Sequence, residues 1–183
     1  MTTVHRANDP LLQPYQLKHL TLRNRFMSTA HEPNYHDDGL PKDRYIRYHE
    51  EKAKGGIALT MTAGSAVVSR DSSPVFGNLH AYRDEIVPWL KRMADACHEH
   101  GSACMIQLTH LGRRTVWNGA DWLPVVSPSN VREPAHRAFP KIMEDWDMDR
   151  IVRDYADAAE RVKEAGLDGL ELECYGHLLD SFW

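Results

Sequence analysis

Apolar residues recur along this chain with two alternating periods. Around 84–101, Ile86, Val87, Leu90, Met93, Ala94 and Cys97 fall three or four positions apart, the stripe of an amphipathic helix. Asp84 is placed to cap that helix, Pro88 falls in its tolerated first turn, and Gly101 ends it. The strongest helical pattern is 147–166, where Ile151, Val152, Tyr155, Ala158, Ala159 and Val162 share a side and Gly166 closes the run. A third helix is predicted over 44–56. Between these lie short apolar runs predicted as strands: 23–30, 57–68, 102–112 and 167–176. Residues 1–20 read as an irregular lead-in. The stretch from about 113 to 146, rich in Pro and Trp, is a long irregular segment after a strand, and such segments are often functional.

The predicted order is β-α-β-α-β-α-β. Strands separated by helices imply a parallel α/β sheet with right-handed crossovers. Two architectures satisfy it: a doubly wound open sheet, or part of an eight-stranded β/α (TIM) barrel. A dinucleotide-binding sheet needs G-x-G-x-x-G after its first strand. Here that place reads STAHEPNY, without glycine, and the pair Gly55-Gly56 precedes a strand instead.

Composition narrows the function classes. The 183 residues fit one domain with a sizeable core, and the formal net charge of −4, with no basic tract, argues against a nucleic-acid partner. No run approaches the roughly 18 apolar residues of a membrane helix, and the N-terminus lacks a signal-peptide core. Cys97, Cys104 and Cys174 are scattered, which fits a reducing compartment and argues against a disulfide framework or a zinc site. The expected location is the cytoplasm, and no metal site is expected.

Polar residues gather at the C-terminal ends of all four predicted strands. They are Ser28, Thr29 and His31, then Thr62 and Ser65, then Gln107 and His110, then Tyr175 and His177. In a barrel these ends share one rim, where barrel enzymes do their chemistry. Any one of them could equally be an ordinary hydrogen-bonded strand terminus. In the last strand a period of two puts Glu171, Glu173, Tyr175 and His177 on one face and Leu170, Leu172 and Cys174 on the other. In a barrel the first set points inward. An inward carboxylate needs a partner, and Arg25 is the candidate for Glu171; two separately solvated charges are the alternative. Tyr175 and His177, at the open end, can donate hydrogen bonds or move protons near neutral pH.

Four segments, in order and spacing, resemble the Old Yellow Enzyme family of FMN-dependent oxidoreductases: LRNRF (22–26), GGIALTMTAGSAV (55–67), IQLTHLGRR (106–114) and AGLDGLELECYGHLLDSF (165–182). The branch they resemble is that of trimethylamine dehydrogenase and dienoyl-CoA reductase. The resemblance implies a TIM (β/α)8 barrel of which about the first four β/α units are present. It also implies non-covalently bound FMN, with Ser28, Thr29 and Ala30 along the isoalloxazine ring, Ala63 approaching through its backbone, and Gln107 on the pyrimidine edge. A 4Fe-4S cluster and a second nucleotide would belong only to a C-terminal region outside these residues.

The departures from the family pattern carry information. The fourth-strand motif, usually His-Gly-Tyr, reads Tyr175-Gly176-His177 here, so the roles of the catalytic candidates Tyr175 and His177 are exchanged. Glu32 stands where trimethylamine dehydrogenase attaches its flavin covalently, and Gly64 where that enzyme places a cage tyrosine. A cation–π site is therefore less well supplied. His31 and Glu32 become the substrate-binding candidates, with Glu32 offering charge to a cation; a solvated loop carboxylate is the alternative.

The implied chemistry is hydride transfer between a substrate carbon and flavin N5. The expected reaction is oxidative N-demethylation of a small tertiary amine or N-methylated amino acid. The alternative is an NAD(P)H-dependent alkene reductase of the enoate or dienoyl-CoA type. Four strands are half a barrel, with unpaired edges and an open inner face. Residues 1–183 are thus expected to be the N-terminal part of an FMN barrel. Such a piece pairs with its missing half or with a second copy, or it is an inactive half-barrel that self-associates.

Overall fold

The computed structural model describes residues 9–114, 123–135, 137 and 139–183. The chain enters through a hairpin, within the stretch predicted to be irregular. Strand β1 (Tyr15–Leu17) pairs antiparallel with β2 (Leu20–Leu22), and Lys18 takes a left-handed φ of 48° in the turn. The hairpin is short and mostly exposed, so it leaves little periodic signal.

The predicted first strand is reduced to β3 (Met27–Ser28). Helix α1 (Asp43–Lys54), β4 (Leu59–Val67), α2 (Val87–Glu99), β5 (Ala103–Thr109), α3 (Asp145–Glu164) and β8 (Gly169–Leu172) then follow. Within the long segment after β5, β6 (Val126–Ser127) and β7 (Lys141–Ile142) form a small parallel pair. The main sheet is parallel throughout, in the order β3-β4-β5-β8.

The placement of the helices decides between the two architectures. One core joins Tyr45, Ile46 and Ala53 of α1, Leu90, Met93 and Cys97 of α2, and Ala158 and Val162 of α3. These meet Ala63, Ala66, Cys104, Ile106 and Leu108 of the strands. All three helices therefore lie on one face, whereas a doubly wound sheet covers both. The opposite face carries Leu59 and Met61, with Ala103 and Met105, closed at one end by Leu17, Leu20 and Leu22 of the hairpin. It bounds an apolar concavity of about 310 Å³ lined by Met27, Leu59, Met61 and Met105 among others. The arrangement is an arc of a (β/α)8 barrel, with helices outside and a strand-lined interior.

The helix registers follow from these contacts. Leu90, Met93, Ala94 and Cys97 are buried as the spacing predicts, and each large side chain contributes roughly 1.5–3 kcal/mol by leaving water. Asp84 does not cap α2. It begins a 3-10 turn (Asp84–Ile86) that leads into the helix, and its carboxylate receives Arg161 Nε of α3 at 2.6 Å. In α3, Val152 is 68% exposed rather than on the buried stripe, because the helix presents Ile151, Ala158 and Val162 to the sheet. Among the described residues no helix is long and apolar enough to cross a membrane.

Candidate active site

Strand β4 is broken at its C-terminal end by a shift of register between Thr62 and Ala66. Two non-glycine residues there hold left-handed backbone, Ala63 at φ 53° and Ser65 at φ 71°. Such conformations cost on the order of 1–3 kcal/mol each and persist only when neighbours fix them. Here the neighbours do so. Ala63 N–H donates to Tyr45 Oη of α1 at 3.1 Å, and Asn78 Nδ2 donates to the carbonyls of Gly64 and Ser65 at 3.3 and 2.8 Å. Ser65 N–H donates to Gln107 Oε1 of β5 at 2.9 Å. Gly64 is pressed from the other side, since a Cβ on it would lie 2.8 Å from the Glu32 nitrogen.

The bulge turns Ser65 toward the last strand. Its Oγ donates to Glu173 Oε2 at 2.5 Å, and the other oxygen, Oε1, meets His177 Nε2 at 3.3 Å. Gln107 Nε2 donates to Glu171 Oε1 at 2.6 Å. A continuous row, Glu171–Gln107–Ser65–Glu173–His177, thus crosses the tips of β4, β5 and β8. Burial pushes the Glu173 carboxyl up, but hydrogen bonds from His177 and Ser65 and the nearby imidazole outweigh it and hold it below the usual range. As an anion it only accepts, so His177 carries its proton on Nε2. His177 is 8% exposed, and its Nδ1 is buried with no partner among the described residues.

A second network supports the rim from outside. His110 accepts Gly112 N–H at Nδ1 (3.0 Å) and donates from Nε2 to Asp71 Oδ1 (3.1 Å), which sets its tautomer. Arg150 of α3 reaches both oxygens of Asp71 and also Asp154, and Ser69 Oγ donates to Asp154. Burial raises the Asp71 carboxyl, and the His110 and Arg150 partners bring it below its ordinary value. The His110 carbonyl accepts Leu178 N–H at 3.0 Å, beside His177. His110 is therefore a fully buried scaffold residue.

The remaining candidates occupy distinct places. Ser28 and Ala30 are half-buried and Thr29 exposed at the end of β3, and Lys52 Nζ of α1 donates to Ser28 Oγ at 2.8 Å. Ala63 is fully buried. His31 is exposed near Tyr48, whose ring also receives the Lys52 ammonium at 4.1 Å. Glu32 is not a solvated loop carboxylate. Its Oε1 accepts Asn34 N–H at 2.9 Å, its Oε2 is buried without a partner among the described residues, and burial pushes its pKa up to about 8. A side chain at Gly64 has no room, because the His31–Glu32 backbone lies against it.

The last strand departs from strict alternation. β8 ends at Leu172, and Gly176 at φ 72° turns the chain before a 3-10 turn at Leu179–Phe182. Tyr175 is consequently 84% exposed while His177 is buried, so the structure separates the two groups. The expected Arg25–Glu171 pair does not form. β3 and β8 are opposite edges of the sheet, Arg25 lies over the Tyr15 ring, and Glu171 is engaged by Gln107. Among the described residues no cluster of His, Cys, Asp and Glu could hold a metal. Asn78 and Tyr45, which lock the bulge, carry no signal in the sequence; Ser65 and Glu173 do, through their places on the rim.

Known proteins resemble this chain in sequence and fold. A Rhizobium meliloti (strain 1021) protein named as a probable N-methylproline demethylase is 70% identical over 175 residues, 96% of this chain and 26% of that protein. A Caballeronia cordobensis protein, named multifunctional alkene reductase/demethylase OYE, is 50% identical over 182 residues, 100% of this chain and 27% of that protein. The chain thus spans about a quarter of the length of these curated relatives. The crystal structure of Old Yellow Enzyme from Pichia sp. AKU4542 superposes with a TM-score of 0.87 at 22% identity, over 95% of this chain and 48% of that one. It shares the barrel fold. The family described as NADH:flavin oxidoreductase / NADH oxidase matches residues 10–183, and the chain belongs to it.

Proposed function

We propose that residues 1–183 are the N-terminal part of an FMN-binding barrel that oxidatively demethylates a small tertiary amine or N-methylated amino acid. The observation that carries this reading is the row Gln107–Ser65–Glu173–His177, which gathers donors, acceptors and one anion at a single rim. The name of the 70% identical relative supports the substrate class. The open edges β3 and β8 would pair with further strands of the same barrel or of a second copy.

The residues present suit FMN. A flavin pyrimidine edge alternates N–H and C=O groups, and the half-buried Gln107 carboxamide keeps one N–H and one oxygen lone pair beyond its bonds to Glu171 and Ser65. Ser28, Thr29 and Ala30 at the tip of β3 and the Ala63 backbone in the bulge would complete its contacts. When bound, FMN supplies the hydride acceptor.

The chain's own groups prepare the substrate. A tertiary amine is protonated at neutral pH and gives up hydride only once its lone pair is free. The His177–Glu173 pair, with His177 Nε2–H held by Glu173 at 3.3 Å, is the rim's proton-handling group and would take that proton. Glu32, buried and lacking a partner at Oε2 among the described residues, supplies a carboxyl that ionises beside a cation. Loss of hydride from the N-methyl carbon leaves an iminium; water adds to it and releases formaldehyde and the secondary amine.

One observation favours a second reading, alkene reduction: the 50% identical relative carries both activities in its name. There the exposed Tyr175 phenol would polarise the carbonyl of the acceptor. Product analysis separates the two. The FMN-loaded protein is incubated with N-methylproline and an electron acceptor, and separately with NADPH and cyclohexenone. Demethylation predicts one formaldehyde per secondary amine formed; a product only in the second mixture would establish the reductase instead.

A further inference from the structure

We propose that Arg114 anchors the carboxylate of an amino-acid substrate at the rim, so that the site takes zwitterions in preference to simple amines. This deepens the demethylase reading and rests on it. Arg114 follows β5 at the end of the turn Leu111–Arg114, closed by Arg114 N–H donating to Leu111 O at 3.2 Å. Its guanidinium lies 5.9 Å from the ring centroid of Phe76, and Phe76 in turn faces His177, with ring centroids 6.4 Å apart. Arg114 Nη2 would be 3.6 Å from a Cβ on Gly176. The guanidinium therefore abuts the Tyr175-Gly176-His177 turn.

Its neighbours are occupied, while the Arg114 guanidinium has no hydrogen-bond or ion-pair partner among the described residues. Arg113 Nη1 donates to Val131 O at 2.9 Å, and Arg150 is spent on Asp71 and Asp154. Among the described residues no carboxylate pairs with Arg114. The guanidinium lies over the Phe76 ring at cation–π distance, and its fork presents parallel N–H donors that match a carboxylate. The rest of the rim has the opposite character. Glu171 and Glu173 line it. Glu173, held as an anion, attracts an ammonium and repels a carboxylate, so a bound amino acid needs a cation at its acid end. Arg114 supplies it on the His177 side, which gives the site two poles.

The test uses ligands that differ only at the acid end. Binding of proline and of prolinamide to the FMN-loaded protein is measured by calorimetry; neither carries the N-methyl group that would be oxidised. Wild type should bind proline about 10- to 100-fold more tightly than prolinamide, the range of a charge-assisted pair. R114A should erase that ratio by weakening proline alone, at unchanged flavin content and melting temperature, and R114K should keep part of it. An unchanged ratio in R114A, equal weakening of both ligands, or no measurable proline binding by wild type would overturn the proposal. Retained discrimination without formaldehyde from N-methylproline would support the anchor and contradict the demethylase reading.

Discussion

Ser65 N–H donates to Gln107 Oε1 at 2.9 Å, tying a left-handed residue of β4 to the strand beside it. This one bond gives the bulge its direction. It leaves the Ser65 hydroxyl facing Glu173, more than a hundred residues later in the chain.

Replacing Gln107 with leucine removes the acceptor and leaves a part-buried N–H unpaired. The expected cost is about 1–3 kcal/mol in denaturant unfolding. FMN affinity should fall about 10- to 100-fold in a fluorescence titration, because the bulge and the carboxamide are lost together.

Gly64 tests the packing of the first-strand loop. A methyl there meets the Glu32 nitrogen at 2.8 Å, and backbone cannot swing aside as a side chain can. G64A should lose roughly 1–3 kcal/mol of stability and displace His31–Glu32. G64Y should be worse, although a tyrosine would nominally add a cation–π wall.

Glu32 predicts an unusual pH dependence. Its folded pKa of about 8 lies above its ordinary 4.5, so the folded chain holds an extra proton between those values. The associated stability is complete below about pH 4.5 and is lost as pH rises toward 8. E32Q stays neutral and can still accept Asn34 N–H. It should match wild type near pH 5 and exceed it by about 1–3 kcal/mol near pH 8.5, read from thermal unfolding.

Asp71 bears on the outer network. D71A strips partners from a fully buried His110 and from Arg150. The expected loss is about 2–4 kcal/mol, at the lower end for a buried pair because Arg150 is partly exposed. D71N, which keeps one acceptor for His110, should recover part of it.

Much of this was legible in the amino-acid order, for identifiable reasons. Leu90, Met93 and Cys97, or Ile151, Ala158 and Val162, sit where helical spacing puts them, since long buried helices impose their period on the sequence. Gln107, Ser65 and His177 were visible as polar residues at strand ends. The β1–β2 hairpin was not, because two strands of three residues each are too short to display a period. Strict alternation failed after Leu172, where Gly176 redirects the chain and divides Tyr175 from His177. The Arg25–Glu171 pair failed because charge and inward direction do not specify the neighbouring strand, and that strand carries Gln107.

The measurement closest to the central claim is anaerobic single-turnover reduction of the FMN-loaded protein by N-methylproline, for wild type and E173Q. The account predicts that the flavin band bleaches in wild type, with formaldehyde equal to the flavin reduced. In E173Q bleaching should be at least about 100-fold slower, because His177 loses the anion that fixes its tautomer. No bleaching by the amine in wild type, or equal rates in the two proteins, would contradict it.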